Sequence, residues 1–258
     1  MAYYGAALVL RRHLAGGFWI GIACGLVFMT QSIPEAVMIA VIAALLPLVS
    51  PRWRTLRYAA ALGMAIVVAL PWLVIWPTLI YQHDPALFQA WLTAENLARF
   101  FGTRDMLAGL GYYLRILPWY AFPVWPLALW TLWRARRMQL LNDPGIILPA
   151  LGFMITLLML GSAAESRELY ALPMLLPLTL LAVPGIEPLR RGAAYGWLWF
   201  SIMAFTFFII VGWFYWGALE LGLPTRLHNH LHTIRPSYDF GFKWLPFLLG
   251  LAYTTAWF

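Results

Sequence analysis

Apolar residues in this chain run in long unbroken stretches rather than alternating with polar ones at the spacing of a surface helix or a half-buried strand. Continuous apolar runs occupy positions 15–33, 34–50, 58–81, 112–133, 145–161, 170–186 and 195–218, with shorter ones at 1–10 and 244–258. A helix rising 1.5 Å per residue needs about 20 apolar residues to cross a hydrocarbon layer of about 30 Å, and the long runs are of that size. The pattern predicts an all-α fold: a polytopic transmembrane helix bundle of about seven full spans, with partial helices at both termini. No composition shift divides it, so 1–258 reads as a single transmembrane bundle with a polar interfacial loop at 82–111 and a second polar loop at 219–243. Pro34 opens the second full span, where its missing N–H costs nothing, and Ser32 is placed to cap that start. The end runs supply only about 15 and about 22 Å of helix. They read as cut helices, and the chain as an internal portion of a larger membrane protein or a gene product whose ends are not the ancestral ones.

Composition agrees: 63% of residues are hydrophobic and 10% charged, against roughly 45–50% and about 25% in soluble domains. Charge adds direction. Arg11, Arg12, Arg52, Arg54, Arg57, Arg134, Arg136, Arg137, Arg190 and Arg191 fall in one alternating set of connections, facing only Asp143 and Glu187. The other set holds the remaining seven basic residues together with Glu35, Asp84, Glu95, Asp105, Glu165, Glu168, Glu220 and Asp239. By the positive-inside rule the arginine-rich loops are cytoplasmic, which predicts a multi-pass inner-membrane protein with its mixed-charge loops outside. The net charge of +7 is spread between apolar spans without a basic face interleaved with stacking aromatics, so nucleic acid is excluded as a partner. The one cysteine, Cys24, lies in an apolar run and reads as a core residue.

Candidate chemistry concentrates on the mixed-charge side. In the 82–111 loop, Phe88, Trp91, Leu92, Leu97, Phe100 and Phe101 form an apolar face, and Glu95 and Arg99 stand four apart in the favourable acid-then-base order. The pair reads either as a surface ion pair on an interfacial helix or as part of a pocket lining. Arg167, Glu168 and Tyr170 stand at the mouth of the span from 170, and Arg115 lies in the first turn of the span from 112. Ionisable groups at that depth pair with one another or face a wet cavity. Arginine also presents a fork suited to phosphate oxygens, so Arg99, Arg115 and Arg167 point either to interhelical pairing or to an anionic headgroup. His228, His230 and His232 have no neighbouring Cys or carboxylate to complete a metal set and read as solvated loop residues. Walker-type glycine loops, GxSxG elbows, HExxH and CxxC motifs are all absent.

Three segments carry a resemblance. GLVFMTQSIPEAVMIAVIAALLPLVSPRWR resembles the stretch of bacterial lipid-linked sugar transferases in which a glycine-rich helix ends in a polar T-K-G-P turn and the next helix leads to a basic loop. ENLARFFG followed by YYLRILPWYAFPVWPLALW is similar to their E-x-x-x-R-F loop helix and the helix after it, and SRELYALPMLLPLTLLA to the start of a late helix. These are the aminoarabinose transferase and protein mannosyltransferase relatives of the GT-C class (glycosyltransferase family 39 type). The resemblance implies transfer of a sugar from a polyprenyl-phosphate carrier to a lipid or protein acceptor at the periplasmic face, with membrane lipids as surroundings. It places Glu95 and Arg99 on the loop helix and Arg167 and Tyr170 at the carrier phosphate. Gln31 stands where the family's turn has lysine and cannot supply charge there. Inverting transfer needs a carboxylate base and cationic or metal stabilisation of the departing phosphate, so a divalent metal is a possible cofactor. The family's key acid lies in a first extracytoplasmic loop without a counterpart here, which leaves the catalytic base unassigned and suggests a fragment. A secondary transporter, to which the Pro71, Pro77 and Pro118 breaks would suit, and a non-catalytic scaffold with a residual lipid-binding groove are the other readings.

Overall fold

A computed structural model describes residues 1–30, 33–93, 105–164, 166–234 and 242–257. Among these residues every regular element is helical. They form two compact units, Met1–Pro188 and Leu189–Phe258. The protein is an all-α, multi-pass membrane protein: five described helices are long and apolar enough to cross a bilayer, at His13–Thr30, Leu56–His83, Pro144–Gly161, Glu168–Ile186 and Arg191–Glu220.

In the first unit, α1 (Ala2–Leu8), α2 (His13–Thr30), α3 (Ile33–Val49) and α4 (Leu56–His83) precede a short α5 (Pro85–Ala90). Then come α6 (Met106–Tyr120), α7 (Val124–Arg137), α8 (Pro144–Gly161) and α9 (Leu172–Ile186), the last preceded by a 3₁₀ turn at Glu168–Ala171. Lipid supplies no hydrophobic force between helices, so close packing must hold them, and small residues permit it. Gly17 and Gly21 of α2 lie directly against the backbone of α4 at Ala61 and Ala65, both buried. The opposite face of α4 turns Ile66, Val67, Leu70 and Val74 outward, as a lipid-facing surface requires.

The basic connection after α3 is held by specific contacts. Arg54 donates from Nε to the Pro47 carbonyl at 2.6 Å and from Nη2 to that of Leu48 at 3.0 Å, capping the carbonyl end of α3 with a cation. Trp53, 1% exposed, donates from Nε1 to the Ala6 carbonyl at 3.4 Å. Tyr58 is buried and donates to the Ala43 carbonyl at 2.5 Å, tying α4 to α3. Replacing it with phenylalanine keeps the ring and removes one buried hydrogen bond, a loss of about 1 kcal/mol. Tyr58→Phe is therefore expected to lower the thermal midpoint in detergent by a few degrees; an unchanged midpoint would mean the bond contributes nothing net.

The apolar run at 112–133 differs from its expected single span. It is two helices, α6 ending at Tyr120 and α7 starting at Val124. Pro123 lies between them, and proline removes an N–H, crowds the carbonyl four residues earlier and disfavours a helical residue before it. Pro118 is accommodated inside α6. Several acids of the connections prove to be caps: Asp84 accepts from Ala86 N–H, Asp105 from Leu107 N–H and Asp143 from Gly145 N–H, each satisfying a helix-start donor.

The second unit contains α10 (Arg191–Glu220), α11 (Thr225–Ile234) and α12 (Trp244–Trp257). Along α10 only Ala218 is buried, and its outward rim of Trp199, Met203, Phe207 and Phe214 is apolar nearly all round, the signature of a lipid-immersed helix. Trp213 Nε1 donates to Thr254 Oγ1 at 2.9 Å and Trp257 Nε1 to Thr206 Oγ1 at 3.3 Å, pairing α10 with α12. Because α11 is a helix, only His228 and His232 share a face, their ring centres 6.3 Å apart. His228 Nδ1 is bonded to the Ala218 carbonyl at 2.8 Å. Among the described residues no group of three His, Cys, Asp or Glu side chains gathers at a metal-binding spacing.

Candidate functional site

The site is built where the start of α3, the end of α8 and the start of α9 converge. Its foundation is the crossing of α6 and α8, where a side-chain carbon on Gly109 would overlap the Gly161 carbonyl, so the two backbones pass in contact. One turn further along α6, Tyr113 is fully buried against Leu157, Leu160, Ala171 and Met174. Its hydroxyl donates to the Arg167 carbonyl at 3.5 Å and also bonds the Ser166 side chain. Thus Tyr113, an unremarkable aromatic in the sequence, pins the segment that carries the predicted site residues. From that segment Arg167 projects its guanidinium over the Tyr170 ring, 5.9 Å from the centroid, an arrangement in which the ring face stabilises the cation.

A cavity of about 450 Å³ opens beside them, lined by Pro34, Glu35 and Met38 of α3, Thr156, Met159 and Leu160 of α8, and Leu169 to Pro173 in part, including Tyr170. Thr156 donates to its own helix at the Gly152 carbonyl, 2.7 Å away, and lies 3.1 Å from Met38 Sδ. The lining is mostly apolar with a few polar side chains among the walls, the usual character of a ligand cavity. Besides Thr156, those side chains are Tyr170 and Glu35, and Arg167 stands next to the cavity, over the Tyr170 ring. The arrangement offers a cation for an anionic oxygen and a carboxylate that accepts hydrogen bonds from hydroxyl or amino groups.

Of the predicted site residues, the structure brings Arg167 and Tyr170 together. Arg115 is exposed and stands two positions after Tyr113, about 200° around the helix, so it faces away from the side of α6 that holds the Arg167 segment. Gln31, Glu95 and Arg99 lie outside the described residues. Glu35 carried no role in the sequence reading and now lines the cavity. The only available signal was a carboxylate placed at the head of an apolar span, where a charge is costly unless it serves a wet site.

No family model and no solved structure matches the chain. Among curated proteins it is 29% identical over 194 residues, 72% of the chain and 34% of the relative, to undecaprenyl phosphate-alpha-4-amino-4-deoxy-L-arabinose arabinosyl transferase 2 of Pseudomonas fluorescens. It is 32% identical over 189 residues, 69% of the chain and 32% of the relative, to the corresponding transferase of Edwardsiella ictaluri. A transferase of Sodalis glossinidius is 31% identical over 184 residues, 66% of the chain and 31% of the relative. The chain is similar in sequence to the lipid-linked sugar transferases that its motifs resemble, and the relatives are those of the aminoarabinose type. It spans about a third of the length of the curated relatives it matches.

Proposed function

We propose that this protein works in glycosyl transfer from a polyprenyl-phosphate carrier, binding the carrier's phosphate and sugar at the cavity between α3, α8 and α9. The observation that carries the reading is a cavity walled by Glu35 and Tyr170 with the Arg167 guanidinium held over the Tyr170 ring, in a chain similar to transferases named for undecaprenyl phosphate-linked aminoarabinose. Arg167 supplies the fork for a phosphate oxygen, and the Tyr170 hydroxyl a second donor. Glu35, on the α3 wall, accepts from the sugar's polar groups. The apolar walls of Met38, Met159, Leu160 and Leu169 receive the first isoprene units. The loop charges favour a cavity mouth at the periplasmic face of a bacterial inner membrane, with a lipid or protein as acceptor.

Purified chain is expected to bind undecaprenyl phosphate saturably, followed by native mass spectrometry. Undecaprenol lacks only the phosphate, and losing charge-assisted hydrogen bonds of about 1.5–3 kcal/mol should weaken it by roughly ten- to a hundredfold. Equal retention of phosphate and alcohol would remove the phosphate site from this cavity. Transfer is read as labelled aminoarabinose moving from carrier to the lipid or protein fraction of membranes that contain the chain. Label that stays on a saturably bound carrier would leave a binding protein without transfer activity.

A further inference from the structure

The opposite end of α8 carries a second cavity that the transfer reading does not use. It measures about 370 Å³ and is lined by Thr131, Arg134, Ala135 and Met138 of α7 and its C-terminus, Leu140, Ile146 of α8, and Pro184, Glu187 and Pro188 at the end of α9. It therefore sits at the end of the bundle where the arginine-rich connections lie. Its two charged side chains are of opposite sign. Arg134 directs Nε to Met138 Sδ at 3.2 Å and forms no ion pair with Glu187 among the described residues. Two opposite charges that share a cavity without closing on each other leave room for a ligand that meets both. Thr131, 4% exposed, gives its hydroxyl proton to the Leu127 carbonyl at 3.0 Å, so its oxygen serves the cavity as an acceptor.

The surroundings fix the level of this cavity relative to a bilayer. On α7, Trp130 and Trp133 stack at 5.0 Å, both exposed, and the Arg137 guanidinium lies 4.4 Å above the Trp133 ring. Paired tryptophans with a terminal arginine mark the headgroup layer, where an aromatic body meets lipid and a charged tip meets water. Met138, Leu140, Ile146 and Pro184 give the cavity apolar walls at the same level.

The geometry points to a binding site for one phospholipid headgroup bearing both a phosphate and a primary ammonium, a phosphoethanolamine lipid. Its phosphate meets the Nη donors of Arg134, in the basic-pocket mode of headgroup recognition. Its ammonium, with three N–H donors, meets Glu187 and Thr131. A purely anionic headgroup satisfies Arg134 and sets a like charge beside Glu187. A trimethylated ammonium keeps its charge and has no N–H to donate to the two acceptors.

The full chain, purified from nanodiscs holding equal amounts of phosphatidylethanolamine, phosphatidylcholine and phosphatidylglycerol, is expected to retain phosphatidylethanolamine over each of the others by roughly tenfold, read by native mass spectrometry. That ratio corresponds to the loss of one charge-assisted contact. Glu187→Gln should abolish the preference over phosphatidylglycerol while some lipid is still retained through Arg134, and Arg134→Gln should lower retention of all three. Comparable retention of the three lipids by the wild-type chain, or an unchanged preference in Glu187→Gln, overturns the assignment. The wild-type comparison decides even if a variant does not fold.

Discussion

Arg167→Ala is expected to weaken undecaprenyl-phosphate binding by roughly ten- to a hundredfold, the loss of charge-assisted hydrogen bonds of about 1.5–3 kcal/mol, with little effect on the fold. Two features make this a clean test. Arg167 is exposed, so truncation opens no cavity in the core. What Tyr113 holds is the backbone carbonyl of residue 167, which alanine retains, so the segment should keep its place. Arg167→Lys tests the geometry of the fork, because lysine preserves charge as a point and loses the planar pair of donors; it should recover only part of the affinity. Undecaprenol binding provides the control and should be nearly the same in all three proteins. Phosphate binding by Arg167→Ala within a factor of two of wild type would remove Arg167 from the site, and Tyr170→Phe would then be the next substitution to measure.

The largest effect on stability is expected at Gly17. A leucine there places its first carbon against the Ala61 carbonyl, backbone that cannot swing aside, and α2 and α4 share the most extensive helix–helix interface described in the first unit. Forcing extra atoms into a packed interface costs about 1–3 kcal/mol, and more where the obstacle is backbone. In a membrane that cost falls on helix association, since both helices remain inserted and hydrogen-bonded within themselves. Gly63 is the matched comparison: it lies on α4, two residues from Ala61, and a side chain added there meets nothing within 4 Å. Gly17→Leu should therefore lower the thermal midpoint in detergent by several degrees, on the scale of about 2–4 °C per kcal/mol for a unit of this size, whereas Gly63→Leu should leave it within error. Equal midpoints for the two variants would show that α2 and α4 do not pack through Gly17.

Much of the membrane architecture was legible from residue types, because a helix in hydrocarbon must be apolar on almost every face and satisfies its backbone internally. The runs at 58–81, 145–161 and 195–218 became α4, α8 and α10, their ends moved outward by four residues at most. At 112–133 continuous hydrophobicity concealed a turn: apolarity reports immersion, whereas continuity of the backbone depends on whether each carbonyl has a donor four residues on, and Pro123 supplies none. Asp84, Asp105 and Asp143 entered the charge pattern as loop acids and act locally as caps. Their role needed the exact helix starts, which hydropathy places only to within a few residues.

The candidate site divides along the same line. Arg167 and Tyr170 are three residues apart and at the mouth of a span, so sequence alone placed them side by side. Glu35 and Tyr170 meet at one cavity only because α3, α8 and α9 converge there. The α6–α8 crossing beside it brings Gly109 against Gly161, a pairing that has no trace in either segment by itself. What the sequence by itself determined is which stretches lie in the bilayer, since immersion is a property each residue satisfies alone. Which walls share a cavity was decided only by tertiary structure, because it depends on how closely two distant backbones approach, and that is a property of pairs.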